Sequence, residues 1–147
     1  MLKLNRKLEY AMISLKAMSQ KAPGQLTTAK EICDTYNIPF APTARVLQIM
    51  AQKGVLRASQ GAYGGYQITK DLSKVTLGHL YDMIEGPLKI SSCSAHDYTG
   101  CGLKKPCNLT GSVRQLNEKI SELFYTINLT EFFGGRSVKI GRASCRE

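Results

Sequence analysis

The sequence contains no apolar run approaching the ~18 residues that a membrane-spanning helix needs. Its basic first seven residues are not followed by the apolar stretch of a secretion signal. Acidic residues are scarce, at 11 against 20 Lys and Arg. These absences predict a cytoplasmic protein that does not span a membrane, and its 147 residues suffice for one domain with an appendage.

Catalytic patterns are missing as well. No Ser/His/Asp group, phosphate-binding loop or pair of catalytic carboxylates occurs at a recognisable spacing. We therefore predict no enzymatic activity and no small-molecule substrate. The one enzyme class left open is a redox thiol protein.

Positive charge is concentrated in the first half of the chain. Residues 1–70 contain ten basic and three acidic side chains, a net +7, whereas residues 71–139 contain eight and seven, a net +1. This asymmetry indicates a polyanion partner for the first half. On charge alone, nucleic acid and an anionic membrane surface both fit.

Three helices are predicted before residue 55. Apolar residues recur at spacings of three and four over residues 5–21, the pattern of an amphipathic helix. Thr28 and Glu31 form a capping-box pattern at the start of a short second helix. A third helix is expected from about Ala41 to Gly54, where glycine is a natural stop.

Two strand-like segments follow, at residues 55–59 and 66–69. Between them, three glycines in six residues suit the tip of a β-hairpin. Three helices followed by a glycine-rich hairpin predict a winged helix-turn-helix. The predicted fold class is therefore mainly α, with a small β-hairpin wing and a long dimerisation helix.

The long helix is predicted near the end of the chain. Its apolar residues alternate spacings of three and four along one narrow stripe. Such a stripe favours pairing with a second copy, and an ordinary core helix is the alternative. The stripe that predicts a homodimer consists of Val113, Leu116, Ile120, Leu123 and Ile127.

These patterns divide the chain into segments. Residues 140–147 resemble a translated sequencing adapter, so we treat them as a non-native tail. The others are a winged helix-turn-helix domain over 1–75, a connecting helix over 76–87, a Cys-rich loop over 88–108, and the dimerisation helix with a C-terminal segment over 109–133.

The loop over residues 88–108 contains Cys93, Cys101 and Cys107. Long loops without secondary structure are uncommon in compact domains, and a bound metal would explain this one. Disulfides rarely persist in a reducing cytosol. The chemistry leaves three alternatives: an iron–sulfur cluster, structural zinc (which prefers C-x2-C pairs, absent here) and a thiol redox switch. The irregular spacing slightly favours the cluster.

Three features together carry a resemblance to a known family. They are the opening segment from Leu4 to Ala11, the wing segment from Gly61 to Tyr66, and the three-cysteine loop between a short and a long helix. Over roughly residues 1–133 the chain resembles the bacterial IscR/NsrR/RirA-type winged-helix regulators of the Rrf family. The resemblance implies that the three loop cysteines ligate an iron–sulfur cluster, with 2Fe–2S favoured over 4Fe–4S.

The fourth ligand differs among these regulators. Some use a His three residues after the last Cys, where this chain has Thr110. Others use a carboxylate in the first helix of the opposite subunit, and Glu9 stands at that position. His96 and Asp97 are rivals for the ligand role. A simple pairing of Glu9 with a neighbouring basic residue, Arg6 or Lys7, is the alternative.

The same resemblance puts the third helix in the major groove of double-stranded DNA and the wing over the minor groove or backbone. Spacing predicts that Thr43, Arg45 and Gln48 project outward, and Arg45 is the best candidate for a bidentate contact to guanine. The other expected DNA contacts are Thr28, Lys30, Lys53, Arg57, Gln60 and Tyr63.

We therefore predict a homodimeric DNA-binding transcription regulator that senses iron–sulfur status, oxidants or nitric oxide, with no membrane partner. A winged-helix regulator with structural zinc or a thiol switch is one alternative. A cytosolic redox or metal-carrier protein is an alternative of another class.

Overall fold

The computed structural model describes residues 4–91 and 107–134. The predicted winged helix-turn-helix architecture is confirmed, and the third helix begins one residue earlier than expected. The elements are α1 (Arg6–Ser19), α2 (Ala29–Tyr36), α3 (Phe40–Gln52), β1 (Leu56–Ser59), β2 (Gly65–Ile68), a 3-10 turn (Leu72–Lys74), α4 (Leu77–Glu85), α5 (Thr110–Thr126) and α6 (Leu129–Phe133).

One hydrophobic core joins the helices of the winged helix-turn-helix half to the C-terminal segment. Leu8 and Leu15 from α1 pack with Leu47 from α3 and Leu80 from α4, and none of the four is exposed. Leu129, at the start of α6, is equally buried in the same cluster. Each such leucine contributes about 1.5–3 kcal/mol by burial. The last described helix is therefore part of the core rather than an appendage.

Local hydrogen bonds explain where two of the helices begin. The Thr28 hydroxyl accepts the backbone N–H of Glu31 at 3.1 Å, as the capping-box pattern predicts, while the Glu31 carboxylate pairs with Lys21. At α4 the box is complete: the Thr76 hydroxyl accepts the His79 N–H at 3.2 Å, and His79 Nδ1 accepts the Thr76 N–H at 3.4 Å.

The wing is an antiparallel hairpin whose base is fixed to the helices. Strands β1 and β2 pair from Leu56 with Ile68 to Ser59 with Gly65. Thr27 extends this ladder, because its N–H donates to the Tyr66 carbonyl at 2.9 Å and the Tyr66 N–H donates back at 2.8 Å. The segment between α1 and α2 therefore sets the direction of the wing.

The C-terminal end of α5 is hydrogen-bonded to the segment that follows the wing. The N–H of Leu77 donates to the Ile127 carbonyl at 2.8 Å, and the N–H of Leu129 donates to the Val75 carbonyl at 2.9 Å. Ile127 packs against the core of its own chain. Ile127 therefore follows α5, which ends at Thr126, and its place in the dimerisation stripe stays a prediction.

Tyr125 of α5 lies over a glycine of α4. A Cβ on Gly78 would be only 2.7 Å from the Tyr125 ring, so only glycine admits this contact. The Tyr125 hydroxyl donates to the Asp82 carboxylate, which raises the pKa of the tyrosine. His79 meets the same ring edge-on, with ring centroids 5.5 Å apart. These contacts fix the angle between α4 and α5.

We expect Gly78→Ala to destabilise the fold by about 1–3 kcal/mol, because the added methyl forces Tyr125 out of place. Urea denaturation of both proteins measures this difference. Adding Tyr125→Ala to the Gly78→Ala variant should remove most of the further loss. Gly111→Ala is the matched control, since a Cβ there meets nothing within 4 Å. Equal effects of Gly78→Ala and Gly111→Ala would contradict the packing described.

Candidate nucleic-acid interface and metal centre

Helix α3 has one buried and one exposed face. Val46, Leu47 and Met50 are fully buried against α1 and α4. The exposed stripe runs along the opposite face at intervals of four, three and four residues, as expected for 3.6 residues per turn. Its members are Ala41, Arg45, Gln48 and Gln52. Arg45 and Gln48 therefore lie where a partner in solution can reach them, as the spacing predicts.

Thr43 does not project outward, so that expectation is wrong. Its side chain is fully buried, and its hydroxyl donates to the Pro39 carbonyl at 2.7 Å. A threonine in a helix can satisfy its hydroxyl on the carbonyl four residues earlier, and it can then be buried like valine. Position 43 belongs to the same inner face as Leu47 and Met50. Ala41 and Gln52 were missed, although extending the Arg45–Gln48 spacing in both directions would have found them.

The remaining candidate DNA contacts lie at the surface. Lys30 on α2, Lys53 after α3 and Arg57 on β1 are exposed cations. Gln60 and Tyr63 occupy the wing tip, where Tyr63 is 94% exposed. The wing turn depends on glycine, because a Cβ on Gly64 would lie 2.4 Å from the Ser59 carbonyl oxygen. Thr28 is also exposed, and its helix-capping bond already accounts for its presence.

Cys107 lies three residues before Thr110, the first residue of α5, and is half-buried. The backbone N–H of Leu109 and then the Thr110 hydroxyl lower the pKa of its thiol. These donors favour the thiolate, which is the form that binds metals and reacts with oxidants. Cys107 is therefore chemically suited to ligate a cluster. Cys93 and Cys101 lie outside the described residues, as do His96 and Asp97.

Both ends of the segment between Ser91 and Cys107 meet α5. The Ile90 N–H donates to Asn117 Oδ1 at 3.0 Å, which holds the chain against the middle of this helix. Cys107 stands at the N-terminal end of the same helix. Residues 4–91 and 107–134 contain no group of three His, Cys, Asp or Glu side chains suited to a metal, and two of the loop cysteines fall outside them.

Glu9 forms an ion pair within its own helix. Its Oε2 lies 2.9 Å from Arg6 Nη1, while Lys7 reaches Glu85 at 3.5 Å. Within a single chain, Glu9 is thus paired with the neighbouring basic residue Arg6, which was the alternative to a ligand role. A ligand role for Glu9 toward a cluster on the opposite subunit stays a prediction.

The apolar stripe of α5 is largely uncovered. Leu116 is 51% exposed and Leu123 41%, while Val113 and Ile120 are half-buried. Helix α5 is described along its whole length, and none of its residues is fully buried. The face toward α4 is occupied separately, by the edge contact between Phe124 and Tyr81. The uncovered stripe therefore offers a surface for a second copy.

Within the described part of the chain, no helix is long and apolar enough to cross a membrane.

Sequence comparisons match the chain to known regulators. The family model Rrf2, described as "Iron-dependent Transcriptional regulator", matches residues 4–134. The HTH-type transcriptional regulator NsrR of Bacillus subtilis is 24% identical over 108 residues, which cover 74% of each chain. NsrR of Halalkalibacterium halodurans is 22% identical over 107 residues, or 73% of each chain.

Solved structures show the same fold. CymR, the global cysteine regulator of B. subtilis, superposes with a TM-score of 0.69 at 21% identity, covering 91% of this chain and 98% of its own. IscR of T. potens gives a TM-score of 0.64 at 20% identity, covering 90% and 87%. With the family match spanning nearly the whole described chain, these findings show that the protein belongs to the Rrf2 family of winged-helix transcriptional regulators.

Proposed function

We propose that this regulator binds a specific DNA operator as a homodimer and that an iron–sulfur cluster on its loop cysteines controls the binding. The observation that carries the proposal is the position of Cys107. Its thiol, whose pKa is lowered by the Leu109 N–H and the Thr110 hydroxyl, stands near one end of α5, and the other end of α5 is hydrogen-bonded to the winged helix-turn-helix half. One helix thus links a candidate metal ligand, a candidate dimer surface and the operator-binding domain.

On the DNA side, the exposed stripe of α3 enters the major groove. Arg45 donates to guanine O6 and N7, and Gln48 reads the neighbouring pair. Lys30, Lys53 and Arg57 contact phosphates, while the wing tip with Gln60 and Tyr63 follows the adjacent backbone or minor groove. The net +7 of residues 1–70 supplies the sequence-independent part of the affinity. Thr28 adds a phosphate contact beside its capping role.

On the metal side, Cys93, Cys101 and Cys107 hold the cluster, with Glu9 of the partner subunit as the fourth ligand. Releasing Glu9 from Arg6 is the cost of that ligation. The donor set of three thiolates and one carboxylate suits a 2Fe–2S cluster, which tolerates a non-cysteine ligand at one iron. When bound, the cluster supplies a centre that oxidants or nitric oxide can alter.

Coupling follows from the bonds at the two ends of α5. Ligation by Cys107 holds the N-terminal end of the helix, and the Asn117–Ile90 bond adds a second anchor. At the other end, Leu77 is hydrogen-bonded to Ile127 and Leu129 to Val75. A displacement of α5 therefore also moves the start of α4 and the segment that follows the wing. Cluster binding and operator binding are therefore linked. The bound cluster changes the affinity for the operator, and the bound operator changes the affinity for the cluster by the same factor.

A metal-free thiol switch is the second candidate. The lowered pKa of Cys107 also supports this switch, because the thiolate is the form that reacts with oxidants as well as the form that binds metals. In that case oxidation of the loop cysteines, rather than loss of a cluster, alters the position of α5.

The test is the visible spectrum and the iron, sulfide and zinc content of the full chain purified without oxygen. We expect a coloured protein with iron and sulfide in equal amounts, which bleaches on exposure to air or nitric oxide. A colourless protein with one zinc per chain would replace the cluster by a structural zinc site. A colourless, metal-free protein whose operator binding responds to peroxide would establish the thiol switch.

A further inference from the structure

We infer that the start of α3 reads the C5-methyl group of thymine in the major groove. The reading surface is the apolar tip, which we define as Pro39, Phe40 and Ala41. The inference rests on the proposed operator binding and specifies a class of base that the operator must present. Arg45 and Gln48, the contacts already proposed, read hydrogen-bonding edges and leave this part of the helix without a partner.

The apolar tip is unusually exposed. Its three consecutive residues are all exposed, and Phe40 is exposed to 57%. Among large apolar side chains of residues 4–91 and 107–134, only Tyr63 and Leu109 are more exposed. A run of three exposed apolar residues gains nothing from the fold of the free chain and indicates a contact surface. The tip lies on α3, away from the dimerisation stripe of α5, so a second copy paired along α5 does not account for it.

The position of the tip on the helix matches base contact. Phe40 and Ala41 are the first two residues of α3, and Ala41 begins the exposed stripe that continues to Arg45 one turn later. In helix-turn-helix proteins the N-terminal residues of the second helix are those that reach base edges. The apolar tip therefore lies at the end of α3 that reaches the base edges, one turn before Arg45.

The surroundings of Phe40 place it beside a phosphate-binding cation. Its ring forms one wall of an open cleft of about 570 Å³ between α2 and α3. Lys30, an expected phosphate contact, lines the same cleft. A cation for the backbone and an apolar ring for the base edge thus line the same cleft, which also contains the carboxylate of Asp34.

The chemistry of the tip selects one feature of DNA. Phenylalanine, alanine and proline side chains carry no donor or acceptor, so they cannot read the hydrogen-bonding pattern of a base pair. The C5-methyl of thymine is the apolar group that standard bases present in the major groove, and alanine or phenylalanine contacts recognise it. Loss of one buried methyl corresponds to about a fourfold loss of affinity.

The experiment begins with operators selected by the full chain from a random duplex pool. Each thymine of a selected duplex is then replaced singly by deoxyuridine, which removes only the methyl, and binding is measured by fluorescence anisotropy. We expect about fourfold weaker binding at one or more positions in each half-site. At such a position, 5-methylcytosine paired with guanine should likewise bind more tightly than cytosine.

Phe40→Ala and Ala41→Ser test the protein side. We expect at least one of them to abolish the difference between thymine and uracil at that position while keeping the preference for the selected sequence over random duplex. Tyr36→Ala is the matched control, because it removes an exposed aromatic ring that does not line the cleft containing Phe40. The control should keep the full difference between the two bases.

Two results overturn the inference and leave operator binding intact. One is equal affinity for thymine and uracil at every position of a duplex whose recognition still depends on Arg45. The other is an unchanged thymine preference in both tip variants. Failure of the selection to enrich any sequence would overturn operator recognition itself and the inference with it. The uracil series on the unmodified protein gives its answer even where a variant fails to fold.

Discussion

Cys107→Ala is expected to abolish the proposed iron–sulfur cluster completely, leaving a colourless chain after purification without oxygen. The thiol stands at the N-terminal end of α5, where the Leu109 N–H and the Thr110 hydroxyl favour its ligating form. Alanine has no atom that can ligate a metal. Cys33, the other cysteine among residues 4–91 and 107–134, is buried on α2 and cannot replace the missing ligand. Visible absorption and bound iron measure the loss. Cys93→Ala and Cys101→Ala are expected to act in the same way.

Cys33→Ala is the matched control, since it removes a thiol from the DNA-binding half without touching the loop. It should retain the full spectrum and the iron content of the unmodified protein. The Cys107→Ala variant should keep its helical content, because residue 107 is outside the buried core. Operator affinity should change in Cys107→Ala and in chemically demetallated protein by the same factor. An unchanged spectrum in Cys107→Ala would exclude the proposed ligand set.

Local patterns in the sequence predict most of the DNA-binding half. Helix α2 begins at the predicted cap because Thr28 and Glu31 are three residues apart, a relation that needs no distant partner. The wing follows from glycines between two short strands, and the resulting hairpin has the predicted order. Periodicity and caps are short-range signals, so a single sequence carries them well.

The outward placement of Thr43 is wrong although the relevant signal is local. Position 43 precedes Leu47 and Met50 by four and seven residues, so helical periodicity puts it on the inner face of α3. Its hydroxyl bonds to the carbonyl of Pro39, four residues earlier, which lowers the cost of burying it. The end of α5 is different, because it coincides with the pairing of residues 127–129 with residues 75–77, a contact between distant segments that periodicity does not reveal.

One structural feature had no sequence signal. Gly78 is the second residue of α4, where most other residues would favour the helix more than glycine does. Its reason is the Tyr125 ring from a helix 47 positions further along the chain, which fills the space that a side chain would occupy. Asp82 and His79 gain their roles only through that ring. Recognising such a cluster requires knowledge of how α4 and α5 pack, which the sequence does not give.

The apolar stripe of α5 leads to the second large effect. Leu116→Glu and Leu123→Glu are each expected to convert the proposed homodimer into a monomer. A two-fold interface meets the same residue twice, so each variant would bury two carboxylates without partners. At roughly 3 kcal/mol for each carboxylate, the pair weakens association by about 10⁴-fold. Sedimentation equilibrium across a concentration series measures the change.

Operator binding supplies an independent check on this surface. A dimer binds two half-sites at once, so the monomeric variants should lose most of their affinity for a selected operator while keeping their fold. Gln115→Glu is the matched control, because it puts the same carboxylate on the exposed polar face of the same helix. It should remain dimeric and bind normally. If the Leu116→Glu and Gln115→Glu variants have the same molecular mass by sedimentation equilibrium, the α5 stripe does not form the dimer interface.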